Sequence, residues 1–397
     1  MEENNVLPDY GGGSITEIPG TVKELFGISS NDKLEFLDYG EFDNIKNVCV
    51  VLIDGLGIKI LEENLDTVNN YFPELLERKI TSVFPSTTTA ALTSIWTGKP
   101  PLEHGLIEWD IFEKNIGKII NPLPMVDLDG RDVEIENLFE GESFIDELKE
   151  KGVNCLKFQS RDIIDSFFSE KVSISDNDFG YEFVSDLIVN FRKRLKESEG
   201  KNFIYCHLSN IDHLSHRYGP FSDEVSAELK TVLRTLKRDF LEKLSDERKE
   251  DTLFVITSDH GQKDVTGSEY IDLKEYEGIW NLLGRTSDGR RIKPTGGPRD
   301  VYIFTEEPAL MMSKIRDCIG DKVDVLSIEK AVEKGLFGTG EKSHLFESRS
   351  GDILLLPKND LMVYYDKEKS ELGSIHGGLS SDEMEVPFLA KRVKDLL

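Results

Sequence analysis

Short apolar runs and amphipathic stripes alternate along most of this chain. Residues 47–53 (NVCVVLI) form an unbroken, β-branched run, the pattern of a strand buried on both faces. Similar short runs at 80–84, 153–158, 202–208 and 252–257 predict further strands. Helical stripes lie between them. Residues 143–151 end at Gly152, and 181–198 place Phe183, Val184, Leu187, Ile188, Phe191 and Leu195 on one face. The stretch 222–244 does the same with Val225, Leu229, Val232, Leu233, Leu236, Phe240 and Leu244. Strand–helix alternation of this kind predicts the α/β class: a doubly wound, mostly parallel sheet with helices on both faces.

The rhythm changes after Gly261. Residues 271–344 are less apolar and richer in glycine and charge, yet still predict strands at 301–304 and 323–327 and a helix at 308–319. The expected organisation is a catalytic core from 1–270 and 345–397 with a small α+β cap inserted at 271–344. Two runs near 352–356 and 361–365 predict a β-hairpin returning to the main sheet. At the other end, a turn-rich arm over 6–30 leads into a short helix at 21–26.

Composition narrows the possible partners. With 48 basic against 75 acidic residues, the net charge is −27. That argues against binding nucleic-acid backbones or anionic lipid through a basic surface. A protein this acidic needs local positive charge to act on phosphates, and bound cations are one source. The four scattered cysteines, Cys49, Cys155, Cys206 and Cys318, read as reduced core residues. The amino terminus is acidic without an apolar run, and no stretch approaches the roughly 20 apolar residues of a membrane span. The expectation is a cytoplasmic protein.

The candidate chemistry clusters at strand ends. Asp54 directly follows the first buried run; Asp212 and His216 follow the run at 202–208; Asp259 and His260 follow the run at 252–257. His376 stands before two glycines. Ligands of open α/β sheets bind beyond the carboxyl ends of the strands, so these side chains should meet at one edge. Only seven histidines occur in the chain, and three of them fall in these loops. Three carboxylates and three imidazoles, with no sulfur, suit two divalent ions such as Zn, with Mn as the other choice. Residues 84–98 (FPSTTTAALTSIWTG) read as a loop entering a helix that starts near Ser86 and stops at Gly98. A hydroxyl in its first turn would sit beside unpaired N–H groups and the positive end of the helix dipole. The bland alternative is a Ser86 cap followed by filler threonines. A Ser380–Glu383 capping box is read before a short helix near the carboxyl end.

The set Asp54-Gly55, Phe84-Pro85-Ser86-Thr87-Thr88, Asp212…His216, Asp259-His260-Gly261 and His376-Gly377 resembles the alkaline phosphatase superfamily. Its type I phosphodiesterase/nucleotide pyrophosphatase branch is the most similar. The resemblance implies an alkaline-phosphatase-like fold and Thr88 as nucleophile. It implies Asp54, Asp259, His260 and Thr88 around one metal, and Asp212, His216 and His376 around the other. It also implies a phosphothreonine route for cleaving phosphodiester or pyrophosphate bonds of small phosphate esters or nucleotides. His104 and His213 match no ligand position and are read as structural. Where that branch carries an asparagine three residues past the nucleophile, this chain has Ala91, so another donor is expected, with a backbone N–H of the helix, Arg299 and Arg161 as candidates. The alternatives are a phosphomonoesterase, phosphonate hydrolase or phosphomutase on the same site, or a non-catalytic metal-binding protein.

Overall fold

A computed structural model describes residues 5–366 and 372–397; the acidic residues 1–4 lie outside them. The main sheet has seven strands: β1 (Asn47–Ile53), β2 (Lys79–Thr81), β3 (Val153–Ser160), β4 (Asn177–Tyr181), β5 (Lys201–Leu208), β6 (Thr252–Thr257) and β7 (Glu385–Arg392). Their spatial order is β2-β7-β6-β1-β5-β3-β4. The pairs β6–β1, β1–β5, β5–β3 and β3–β4 are parallel, and β7 runs antiparallel to both β6 and β2. This is the mostly parallel α/β sheet that the alternating pattern predicts.

The continuous apolar character of β1 has a direct cause. Val48, Val50 and Leu52 enter one core, while Cys49, Val51 and Ile53 enter the other. Successive side chains point to opposite faces, and both faces are covered. On one side lies the helix Thr88–Thr97, called α1, whose Ala90, Ala91, Leu92, Ile95 and Trp96 join the first core. On the other side the helices Val184–Glu197 and Asp223–Thr235 present Leu187, Ile188, Phe191, Val225, Leu229 and Val232 to the second.

Several expectations change in detail. Phe183 is not on the buried stripe: it precedes its helix in extended conformation and is 72% exposed. The run at 80–84 pairs only as far as Thr81, and α1 begins at Thr88 instead of Ser86. Cys49, Cys155 and Cys206 are buried as expected, but Cys318 is exposed. The helix Pro308–Ile319 buries Met311, Ile315 and Ile319, a ridge spaced by four that leaves Cys318 outside it.

The expected hairpin returning to the main sheet does not form. Ile353–Pro357 joins a separate four-stranded sheet, antiparallel to both Asp300–Ile303 and Val323–Ser327. Met362–Tyr364 pairs in parallel with Tyr270–Asp272 instead. The reason is packing: Ile353 and Leu355 share a core with Val301, Ile303, Met311, Ile315 and Ile319. That core takes residues from Ile271 to Tyr365, and we place the end of the accessory unit there, beyond residue 344. A three-stranded meander over Ile111–Glu113, Lys118–Asn121 and Val126–Asp127 was not foreseen in the sequence.

The amino-terminal arm is anchored by a capping box in which Ser14 N donates to Glu17 Oε2 at 2.7 Å. Burial pushes the Glu17 carboxyl up from 4.5 to about 7. Between those two values the folded chain keeps a proton that the unfolded chain has lost, so stability falls as pH rises through that window, by up to roughly 3 kcal/mol. Glu17→Gln should flatten this slope, as measured by urea unfolding at pH 5 and pH 8. Equal slopes for the two proteins would contradict the assignment.

Candidate metal centre

The carboxyl ends of β1, β5 and β6 lie side by side at the middle of the sheet, and the loops leaving them carry the predicted residues. Asp54 N donates to Leu208 O at 2.9 Å, which ties the end of β1 to the end of β5. Gly55 turns with φ 73°, and a Cβ there would lie 3.0 Å from Asp212 Cα and Cβ. Only glycine therefore lets the Asp54 and Asp212 loops approach this closely. Asp212 and His216 are one turn apart on the helix Asn210–Tyr218, with His216 Nε2 3.2 Å from Asp212 Oδ1. His376 arrives on a loop locked to the start of α1: its Nδ1 is 2.9 Å from Ser86 O, and Gly377 N donates to Ser86 Oγ at 3.2 Å.

All six predicted Asp and His residues meet, together with Thr88. The potential ligand atoms of Asp54, Asp259 and His260 lie within 4.8 Å of one another, and so do those of Asp212, His260 and His376. His260 thus stands between two groups, its Nε2 3.4 Å from Asp54 Oδ1 and 3.4 Å from Asp259 Oδ2. Its ring stacks on His376 at 3.7 Å between centroids. Thr88 Oγ1 is 3.1 Å from His260 Nε2. Of the three threonines at the head of α1, Thr87 and Thr89 are buried and Thr88 alone is partly exposed.

The donor set fits divalent cations by a local test. His216 Nδ1 is 2.9 Å from Ser374 O, His260 Nδ1 2.9 Å from Gly261 O, and His376 Nδ1 2.9 Å from Ser86 O. Each carbonyl can only accept, so Nδ1 carries a proton in all three rings, Nε2 of each turns to the centre, and in the neutral His260 and His376 that atom presents its lone pair. Histidine ligands are oriented in this way in metal sites. Opposite them, Asp54 Oδ1 and Asp259 Oδ2 are buried without a hydrogen-bond partner. Orphaned carboxylate oxygens are costly in a protein interior unless a cation meets them.

The electrostatics point the same way. Burial, reinforced by Asp259 and Asp212, lifts the Asp54 carboxyl well above its usual range, and burial lifts Asp259 as well. Burial drops His260 to about 4 and His376 to about 3, so both rings are neutral at neutral pH. His216 differs: burial alone would lower it, but Asp212 outweighs burial and brings it to about 9. Burial would raise Asp212, and the neighbouring His216 holds it below the usual carboxylate range.

Other predicted residues are not brought to the centre. Arg299 is buried, with Nε and Nη2 each 3.2 Å from Glu383 oxygens and Nη1 donating to Leu361 O at 2.8 Å. Its guanidinium is committed. Arg161 is exposed at the end of β3 and pairs with Glu182 at 3.3 Å. Ala91 is fully buried on the face of α1 that joins the first core. His104 is structural, as expected: its Nε2 is 3.0 Å from Ser94 Oγ and its Nδ1 accepts from Leu106 N. His213 points out to solvent.

Two polar residues at the centre escaped the sequence reading. Gln262, 1% exposed, donates from Nε2 to Asp212 Oδ1 at 2.5 Å and accepts from Ser374 Oγ at 2.7 Å. Its place just past Asp259-His260-Gly261 was the available signal. His207 lies within β5, its Nε2 3.1 Å from Asp54 Oδ2. The expected Ser380–Glu383 capping box is present, and it also carries the Arg299 pair. Arg299→Met would leave Glu383 charged and unpaired in the core, at a cost of about 3–5 kcal/mol. Urea unfolding should show this as a lowered midpoint, and an unchanged midpoint would refute it.

The sequence profile that matches this chain places it in the alkaline phosphatase superfamily. Within it, the chain belongs to the type I phosphodiesterase / nucleotide pyrophosphatase family, whose sequence profile matches residues 48–379. A nematode relative, ectonucleotide pyrophosphatase/phosphodiesterase C27A7.1 of Caenorhabditis elegans, is 22% identical over 341 residues. The match takes in 83% of this chain and 37% of the relative, so the chain spans little more than a third of that protein's length. Among solved structures, murine ectonucleotide pyrophosphatase/phosphodiesterase 5 superposes with a TM-score of 0.62 at 17% identity, covering 86% of this chain and 87% of that one. Phosphonoacetate hydrolase from Sinorhizobium meliloti 1021, in complex with phosphonoformate, gives 0.63 at 19% identity, covering 88% and 90%. Among the described residues no helix is long and apolar enough to cross a membrane.

Proposed function

We propose that this protein is a two-metal hydrolase that cleaves phosphodiester or pyrophosphate bonds of small substrates, nucleotides among them, with Thr88 as nucleophile. One observation carries the reading: three imidazoles pinned through Nδ1 turn Nε2 to one cluster of carboxylates, with His260 Nε2 facing the buried, partnerless Asp54 Oδ1 and Asp259 Oδ2, His216 and His376 facing Asp212 Oδ1, and Thr88 Oγ1 beside His260. Asp54, Asp259, His260 and Thr88 would hold one ion; Asp212, His216 and His376 would hold the other. Bound there, two divalent cations, Zn by preference of the donor set or Mn, would supply Lewis-acid charge for the attacking and leaving oxygens.

The chain's own residues do the rest. Thr88 Oγ1 loses its proton to solvent and bonds to phosphorus as the P–O bond to the leaving group breaks, the departing oxygen taking up a proton from solvent, and water later hydrolyses the threonine ester to restore the hydroxyl. Thr87 makes no side-chain capping bond at the head of α1. The first-turn N–H groups of α1 are therefore available to phosphoryl oxygens, a role that neither Ala91 nor Arg299 can take. The relatives' names support the bond class. A threonine-to-alanine variant of the murine structure, described as inactive, is in complex with AMP.

The test is turnover of bis-p-nitrophenyl phosphate against p-nitrophenyl phosphate with Zn or Mn supplied. Faster diester cleavage supports the reading. Monoester preference would move the protein to the phosphatase side, and cleavage of phosphonoacetate alone would make it a phosphonate hydrolase.

A further inference from the structure

We infer that His207 is a positioning residue of the metal centre: its Nε2–H holds one oxygen of Asp54 and so leaves the other free for a single, monodentate contact to a cation. The inference rests on the two-metal reading above.

The geometry divides the Asp54 carboxylate. Oδ2 is 3.1 Å from His207 Nε2, while Oδ1 is 3.4 Å from His260 Nε2 and has no hydrogen-bond partner. Asp54 ionised against a cation only accepts, so in the loaded centre His207 is the Nε2–H tautomer, with its lone pair on Nδ1. That Nδ1 is buried and also lacks a partner, which makes Asp54 the hydrogen-bonding contact that the ring serves. His207 is 2% exposed on a strand whose inner stretch is otherwise Phe203, Ile204, Tyr205, Cys206 and Leu208, after Lys201 and Asn202 at its start. An apolar side chain there would avoid the desolvation of an imidazole. The compensating gain lies at Asp54.

The ring is also held in plane. Tyr205 is parallel to His207 at 6.5 Å and 6°, and Trp96 packs edge-on against Tyr205 at 5.0 Å. Trp96 belongs to α1, the helix that Thr88 begins. A packed column therefore links the orientation of one ligand carboxylate to the helix that carries the hydroxyl. Outer partners of this kind set ligand direction and metal affinity.

The experiment compares wild type, His207→Phe and His207→Gln as full-length protein loaded with Zn, read by chelator competition and by the Co(II) absorption spectrum. His207→Phe keeps the packing against Tyr205 and loses the donor; His207→Met serves as a second donor-free variant where Phe does not fold. The ion beside Asp54 should bind about 10–100-fold more weakly in the donor-free variant. The ion at Asp212, His216 and His376 should bind as in wild type, giving an internal reference. The Co(II) spectrum should change as Asp54 turns, and His207→Gln, which retains an N–H, should restore both readouts. Unchanged affinity and spectrum in the donor-free variant would overturn the inference, and so would a loss that Gln does not rescue. A wild-type protein that takes up no divalent ion would instead overturn the metal reading itself.

Discussion

Thr88→Ala is expected to lower diester turnover by about a thousandfold or more, the usual scale for removing a covalent nucleophile. Because Thr88 is one of several groups around His260, most of the cation affinity should persist. The variant should therefore bind substrate with little change in KM while kcat collapses. Thr88→Ser keeps an Oγ on the same helix turn and should retain measurable turnover. Steady-state kinetics and metal content on the same preparations decide the matter. Full activity in Thr88→Ala would remove the phosphothreonine route. Loss of both activity and metal would make Thr88 a ligand whose nucleophilic role has no support.

Removing the metals is expected to have the largest effect on stability. Asp54 and Asp259 are 4% and 0% exposed, with Asp212 close by, so the stripped centre holds crowded carboxyl groups whose ionised forms are disfavoured by burial and mutual repulsion. A ligand present at a thousandfold excess over its dissociation constant stabilises by about 4 kcal/mol per site. EDTA should accordingly lower the melting temperature by many degrees, and added Zn should restore it. Asp54→Asn relieves part of the repulsion. It should melt above the stripped wild type, yet gain less from added Zn. Calorimetric scans with and without chelator measure both differences. A chelator-insensitive wild type would refute the metal centre as built here.

The metal-type residues were legible in the sequence because their position follows from topology. Parallel strands deliver their carboxyl ends to one edge, so Asp54, Asp212 and Asp259 had to converge once three buried runs were recognised. The short range of α1 was legible from Gly98, which indeed closes it in the left-handed conformation at φ 71°. Sheet membership was not legible. The run at 353–357 is as apolar as a central strand, and only its packing on Met311 and Ile315 assigns it to the accessory sheet. His207 was hidden for a related reason: inside an apolar strand, a histidine reads as one more core residue. The fate of Arg299 was equally invisible, since its partner Glu383 lies 84 residues away.

The strand β7 is not an edge: it lies between β2 and β6. It is synthesised well after β6, shortly after His376. Until it is synthesised, β6 exposes an unpaired flank, the kind of surface that invites pairing with another chain. The ligand loop and the strand that seals the sheet thus become available almost together. Complete cation loading must follow synthesis of the His376 loop, and a nascent chain stalled before that loop would be both metal-deficient and prone to self-association.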